Sequence, residues 1–206
     1  MGKQAEDSEN YQKFKEIVKK KKINVISVEA GENSHLQDQE NNKKIKNVVE
    51  TIGQTKKIQI EKNLYFDVIW PDTQNMISEN ALNNNSLVLK LNYKSFSMLF
   101  TGDIEEIAEK QILKEYKNNL EKLKSTVLKA GHHGSKTSST QEFIETVKPK
   151  IVLIGVGENN NFGHPSGDVI QRLENQGTKI YRTDQMGEIM LTVKNKGKIK
   201  IKNFIN

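Results

Sequence analysis

Asp103, His132, His133 and His164 are the side chains whose types and spacing could do chemistry together. Asp103 closes SFSMLFTGD (95–103), the adjacent histidines sit in GHHGS (131–135), and His164 lies in FGHPSG (162–167). The chain has four histidines and no cysteine, so disulfides and thiolate metal sites are excluded. A metal must then be held by His, Asp, Glu or Asn. A carboxylate with imidazoles suits divalent ions. Imidazoles complete each shell, and a bound water is acidified toward neutrality.

Each motif has a plainer reading. TGD is also an ordinary turn with an N-cap Asp, and His164 could simply cap the turn where Pro165-Ser166 start a helix. GHHGS resists such a reading, because a core histidine is usually solitary and these two are flanked by glycines. His35 falls in a polar loop and reads as a solvent-exposed side chain without a role.

The elements that must position these residues follow from periodicity. Residues 10–22 predict a basic amphipathic helix, and INVISVE (23–29) a strand. Residues 31–56 predict a long polar loop with a helical turn near 44–51, and 57–62 with 64–70 a strand pair stopped by Pro71-Asp72. Residues 72–85 read as another loop. From there the pattern sharpens: strands at 86–93 and 95–103, a helix over 104–122, a strand at 126–130, and a helix over 139–148 capped by Ser139 or Thr140. A strand at 151–157, a loop at 159–167, a helix over 168–177 closed by Gly177, and terminal strands at 178–183, 187–193 and 198–204 complete it. Asp103, the histidine pair and His164 thus follow three consecutive strands, and ligands of open α/β sheets bind at the carboxyl ends of strands.

The 206 residues suffice for one domain with a single core. The start lacks an apolar leader and no run approaches ~20 apolar residues, so the expectation is a soluble, untargeted chain, cytoplasmic by default. Its net charge of +6 permits attraction to nucleic acid, although the excess is mostly lysine spread along the chain, as on a solvated surface.

The run from NNNSLVLKLNYKSFSMLFTGDIE through LKAGHHGSKTSS to VLIGVGENNNFGHPS resembles the metallo-β-lactamase-like domain of ComEC-type DNA-uptake (competence) proteins, over about residues 83–193 and more loosely over 10–82. The resemblance implies a four-layer αββα sandwich with a dinuclear zinc or manganese centre at one sheet edge. It implies Asp103 as bridging carboxylate and the HHGS segment as a histidine ligand, with His133 favoured narrowly over His132. His164 would contact phosphate or stand just outside the metal shell. At a strand end, successive side chains alternate, so only one of the two adjacent histidines is expected to face the metal.

The sequence departs from that family in two respects: it has no His-x-(His/Asp)-x-Asp-His motif, the main ligand source of the fold, and no early strand followed by a GQGDS-like turn. The expectation is an incomplete α/β metallo-β-lactamase-type sandwich, with residues 1–82 a remnant of the N-terminal half and 83–206 the C-terminal half. One ion or none would be held, and the chain would be a fragment, or its missing half would come from another chain. Its uncovered apolar face would favour self-association. The intact form is expected to hydrolyse phosphodiesters, DNA in particular, while this chain stays inactive. Alternatives are a catalytically dead binding module and a small-molecule ester or lactam hydrolase.

Overall fold

The computed structural model describes residues 9–20, 51–52, 55–72, 75–194 and 197–205. The predicted strand at 23–29, His35 and most of the predicted loop at 31–56 lie outside these residues. Helix α1 (Glu9–Lys20) falls inside the predicted basic helix.

Eight strands form one sheet in sequential order: β1 (Thr51–Ile52), β2 (Thr55–Glu61), β3 (Leu64–Trp70), β4 (Val88–Tyr93), β5 (Phe96–Phe100), β6 (Val127–Lys129), β7 (Ile151–Ile154) and β8 (Lys179–Arg182). β1 and the start of β2 occupy positions predicted as loop. The first five strands pair antiparallel and the last four parallel, so β5 is the hinge between two pairing modes. The sheet runs without a break across residues 82–83.

Parallel neighbours need crossover segments. These are α3 (Glu106–Glu115), α4 (Gln141–Val147) and α5 (Gly167–Asn175). α3 is shorter than the predicted 104–122 helix: it ends at Tyr116, and a short 3-10 turn over Leu120–Leu123 leads into β6. β8 runs into α6 (Thr183–Met186), and a hairpin of β9 (Glu188–Val193) and β10 (Ile199–Phe204) follows.

Strand side chains alternate between faces. Leu99, Leu128, Val152 and Ile154 point into a core with Ile104, Ala108, Ile112, Phe143, Ile144, Val147, Val169 and Leu173 from the helical side. Phe96, Met98 and Val127 point the other way, against Leu191, Val193 and Ile199 of the hairpin. The face expected to stand open is therefore packed over by β9 and β10 at its centre. This is a mixed α/β layering, compatible with a sandwich: helices, an eight-stranded sheet and a two-stranded one. Among the described residues no helix is long and apolar enough to cross a membrane.

The predicted 72–85 loop contains a short helix, α2 (Ala81–Asn84), and a buried polar bracket. Trp70 Nε1 donates to Asn84 O (2.7 Å), Asn85 pairs with both backbone groups of Ile77, and Asn84 Oδ1 accepts the Glu105 N–H at 3.0 Å. The cap of α4 also differs from expectation. No side chain of its own N-terminus serves. Instead Glu109 of α3, 1% exposed, accepts the N–H groups of Ser139 (2.6 Å) and Thr140 (2.8 Å).

Candidate functional site

The parallel strands end together, and their following loops converge. Thr101 Oγ1 donates to Lys129 O at 2.7 Å, tying the end of β5 to the end of β6. Asp103 follows; its N–H donates to Ser86 Oγ (3.2 Å), and the His132 N–H donates to Gly102 O (3.0 Å). The TGD and HHGS turns are thus hydrogen-bonded to one another.

The histidine pair is not a strand end. His132 (φ 45°) and His133 (φ 56°) both lie in the left-handed region, in a tight turn over Gly131–Gly134. Non-glycine residues held there cost on the order of 1–3 kcal/mol each and persist only where the surroundings dictate them. The alternation argument for choosing between the histidines therefore does not apply, and each ring meets a different carboxylate. His133 Nδ1 donates to Gly155 O at 2.6 Å, and its Nε2 lies 3.8 Å from Asp103 Oδ1. His132 Nδ1 lies 3.4 Å from Glu105 Oε1.

His164 completes the group. Its ring centroid is 5.7 Å from that of His132, which is 6.5 Å from His133. Asn160 anchors it: Oδ1 accepts the His164 N–H (2.9 Å) and Nδ2 donates to His164 O (2.8 Å). The HHGS and GHPS turns meet at Gly134, whose O accepts the Ser166 N–H at 2.9 Å. Gly134 has φ 81°, and a Cβ there would sit 2.7 Å from Pro165 Cβ, so only glycine fits. All four residues singled out in the sequence are thus brought to one sheet edge.

The electrostatics divide the site. Burial pushes His164 below the ordinary histidine value, and the neighbouring His132 and His133 push it the same way. Burial lowers Lys129 likewise, while the charge of Asp103 opposes the shift. Burial alone would raise Glu105, yet hydrogen bonds from Asn80 and Thr137, the charge of His132 and a bond from Asn84 hold it below the usual carboxylate range.

Glu105, Lys129, the Gly155 carbonyl and Asn160 belong to the site but escaped the sequence reading. Glu105 stands two residues after Asp103, the one local signal that could have marked it. The Asp103–His133 separation of 3.8 Å is longer than the ~3.4 Å between two donors on one tetrahedral ion. Among the described residues, no group of three or more His, Cys, Asp or Glu is gathered to hold a metal. Two protein donors are fewer than the three that a catalytic zinc keeps, so the fit is to part of one ion's shell, not to a pair of ions.

No family profile matches the chain. Among curated proteins it is 38% identical to ComE operon protein 3 of Bacillus subtilis (strain 168) over 135 residues, 66% of this chain and 16% of that protein. It is 33% identical to competence protein ComA of Neisseria gonorrhoeae over 124 residues (60% of this chain, 17% of that protein). It is 31% identical to recombination protein 2 of Haemophilus influenzae over 128 residues (62% and 15%). The chain spans only about a sixth of the length of these relatives. Over about 60% of its length, this chain is related to bacterial competence proteins.

Proposed function

We propose that Asp103, His133, His132 and His164 are the part carried by this chain of a divalent-metal-dependent hydrolase centre of the metallo-β-lactamase type. It would act on phosphodiesters, DNA foremost, in a competence-related protein. The observation that carries the reading is the orientation of His133: Nδ1–H is spent on Gly155 O, and Nε2 faces Asp103 Oδ1 at 3.8 Å. A ligating histidine is normally fixed in this way, its other ring N–H donated to an acceptor that sets the tautomer.

In this reading Asp103 and His133 would hold one zinc or manganese ion. Such an ion would supply charge against the phosphoryl oxygens and a water acidified toward neutrality. His132 Nδ1 lies beside Glu105 at 3.4 Å, and its Nε2 would be the atom offered to the ion or the substrate. His164, beside His132, presents its ring to the phosphodiester and to the leaving oxygen. Thr101, Ser86 and Gly155 contribute rigidity, since a misplacement of about 1 Å can cost 100-fold in rate.

A second reading, a binding module without turnover, is favoured by the donor count among the described residues. Titration calorimetry of the full chain with Mn²⁺ or Zn²⁺, followed by turnover assays on a phosphodiester, separates the two. Binding that depends on Asp103 is expected, with no hydrolysis by the isolated chain. Failure to bind either ion would remove the metal-site reading. Turnover lost in Asp103→Ala would show that ligands beyond the described residues, or from a second subunit, complete the centre.

A further inference from the structure

Phe162 is the most exposed large apolar side chain among the described residues, at 81%. A lone exposed apolar residue needs no explanation. Phe162 is distinguished by being held in place. Its N–H donates to Asn160 Oδ1 (3.3 Å), the atom that also accepts the His164 N–H. Asn160 Nδ2 donates to Gly157 O at 3.0 Å and to His164 O, so one asparagine fastens both ends of the loop. Gly163, at φ 69° with open space around it, turns the chain between the two rings.

The rings stack as a result. Phe162 and His164 lie 5.8 Å apart between centroids at an interplanar angle of 19°, and His164 in turn meets His132. One face of Phe162 is directed at His164; its exposure leaves the opposite face to solvent. A rigid aromatic ring with one open face, at the rim of a site on a chain of net charge +6, offers a flat surface for another π-system on an anionic ligand.

We propose that Phe162 is a stacking platform for one unpaired nucleobase, so that the ligand of this site is single-stranded rather than duplex nucleic acid. This rests on the phosphodiester reading and deepens it. Bases inside a duplex already stack on their neighbours, whereas those of a single strand are free to stack on an aromatic side chain. Such stacking is tolerant of sequence because every base has a π-face.

The test uses the full chain and a short single-stranded DNA oligonucleotide carrying one 2-aminopurine, beside an abasic oligonucleotide of equal length. The wild type is expected to quench 2-aminopurine and to bind the base-bearing strand more tightly than the abasic one, by about 5- to 150-fold for one stacked base. Phe162→Ala should erase the quenching and the preference while leaving affinity for the abasic strand and the thermal midpoint unchanged. Phe162→Trp should keep both. A preference for bases that survives in Phe162→Ala, or equal wild-type affinity for the two strands, would overturn the platform and leave metal binding by Asp103 and His133 untouched. Binding of neither strand by a wild type that still binds metal would overturn the platform and the nucleic-acid reading together.

Discussion

Oε1 of Glu105 lies 3.4 Å from Nδ1 of His132, the one buried side-chain nitrogen without a hydrogen-bond partner among the described residues. The separation permits attraction between charges but not a well-formed hydrogen bond. Glu105 meanwhile accepts from Asn80 Nδ2 (2.9 Å), Thr137 Oγ1 (3.0 Å) and Asn84 Nδ2 (3.4 Å), so it joins three segments of chain at one carboxylate. Glu105→Ala removes those bonds, two of them from exposed residues that water can satisfy, and a loss of about 0.5–1.5 kcal/mol is expected in urea unfolding. Unchanged stability would mean that water replaces the carboxylate without cost.

Glu109 makes a sharper case. Both of its oxygens accept backbone N–H groups, from Ser139 and Thr140. A glutamine presents one acceptor and one donor, so Glu109→Gln leaves one N–H facing an amide NH₂. About 1–3 kcal/mol should be lost for that buried, unsatisfied donor. Thermal unfolding of the variant beside the wild type measures it.

Gly134→Ala combines a left-handed backbone with a 2.7 Å approach to Pro165. We expect more than about 1 kcal/mol of destabilisation, since alanine is placed where φ is positive. The two histidine turns should also separate, seen in histidine ring NMR shifts as loss of the His133–Gly155 bond.

The metal reading gives a ranking. Asp103→Ala and His133→Ala should each abolish binding of Mn²⁺ or Zn²⁺, while His132→Ala should weaken it by roughly 10–100-fold. Equal and complete loss in both histidine variants would make both rings ligands.

Asp67 carries a pH signature far from the site. Burial pushes its carboxyl up, against an Asn92 hydrogen bond and the charges of Lys90, Lys57 and Lys122. A folded pKa above the unfolded one means that the fold holds the proton more tightly. The contribution of Asp67 to stability is therefore full below the unfolded value of 3.8 and is lost as pH rises through the folded one. The stability of the wild type relative to Asp67→Asn should fall over that window in chemical denaturation at stepped pH. A difference that stays flat would show that the surrounding lysines cancel the burial.

The strands of the second half were legible because alternation and β-branching are local. So was the convergence of Asp103, the histidine pair and His164, because strand ends in an open α/β sheet share an edge. Helix limits were less so. The apolar stripe of 104–122 continues past Glu115, but the chain turns at Tyr116 to bring Leu123 into the core. The histidine turn was misjudged because nothing in GHHGS announces two successive left-handed residues; they are imposed by carbonyls contributed from residues 102 and 155. Glu105 and Glu109 read as ordinary charges of an amphipathic helix, since their partners lie about 30 residues away.

Those two carboxylates stand one helical turn apart, and between them they accept hydrogen bonds from residues 137, 139 and 140; Arg172 of α5 adds a bond from Nη1 to Ser139 O at 2.6 Å. A surface connection is usually the softest part of a fold, but this one is fastened at several points to two helices. It has lost the independent motion of a loop. Its amide protons should exchange only when the helical layer opens as a whole, so the turn that carries the histidines has the mechanical character of the core beneath it.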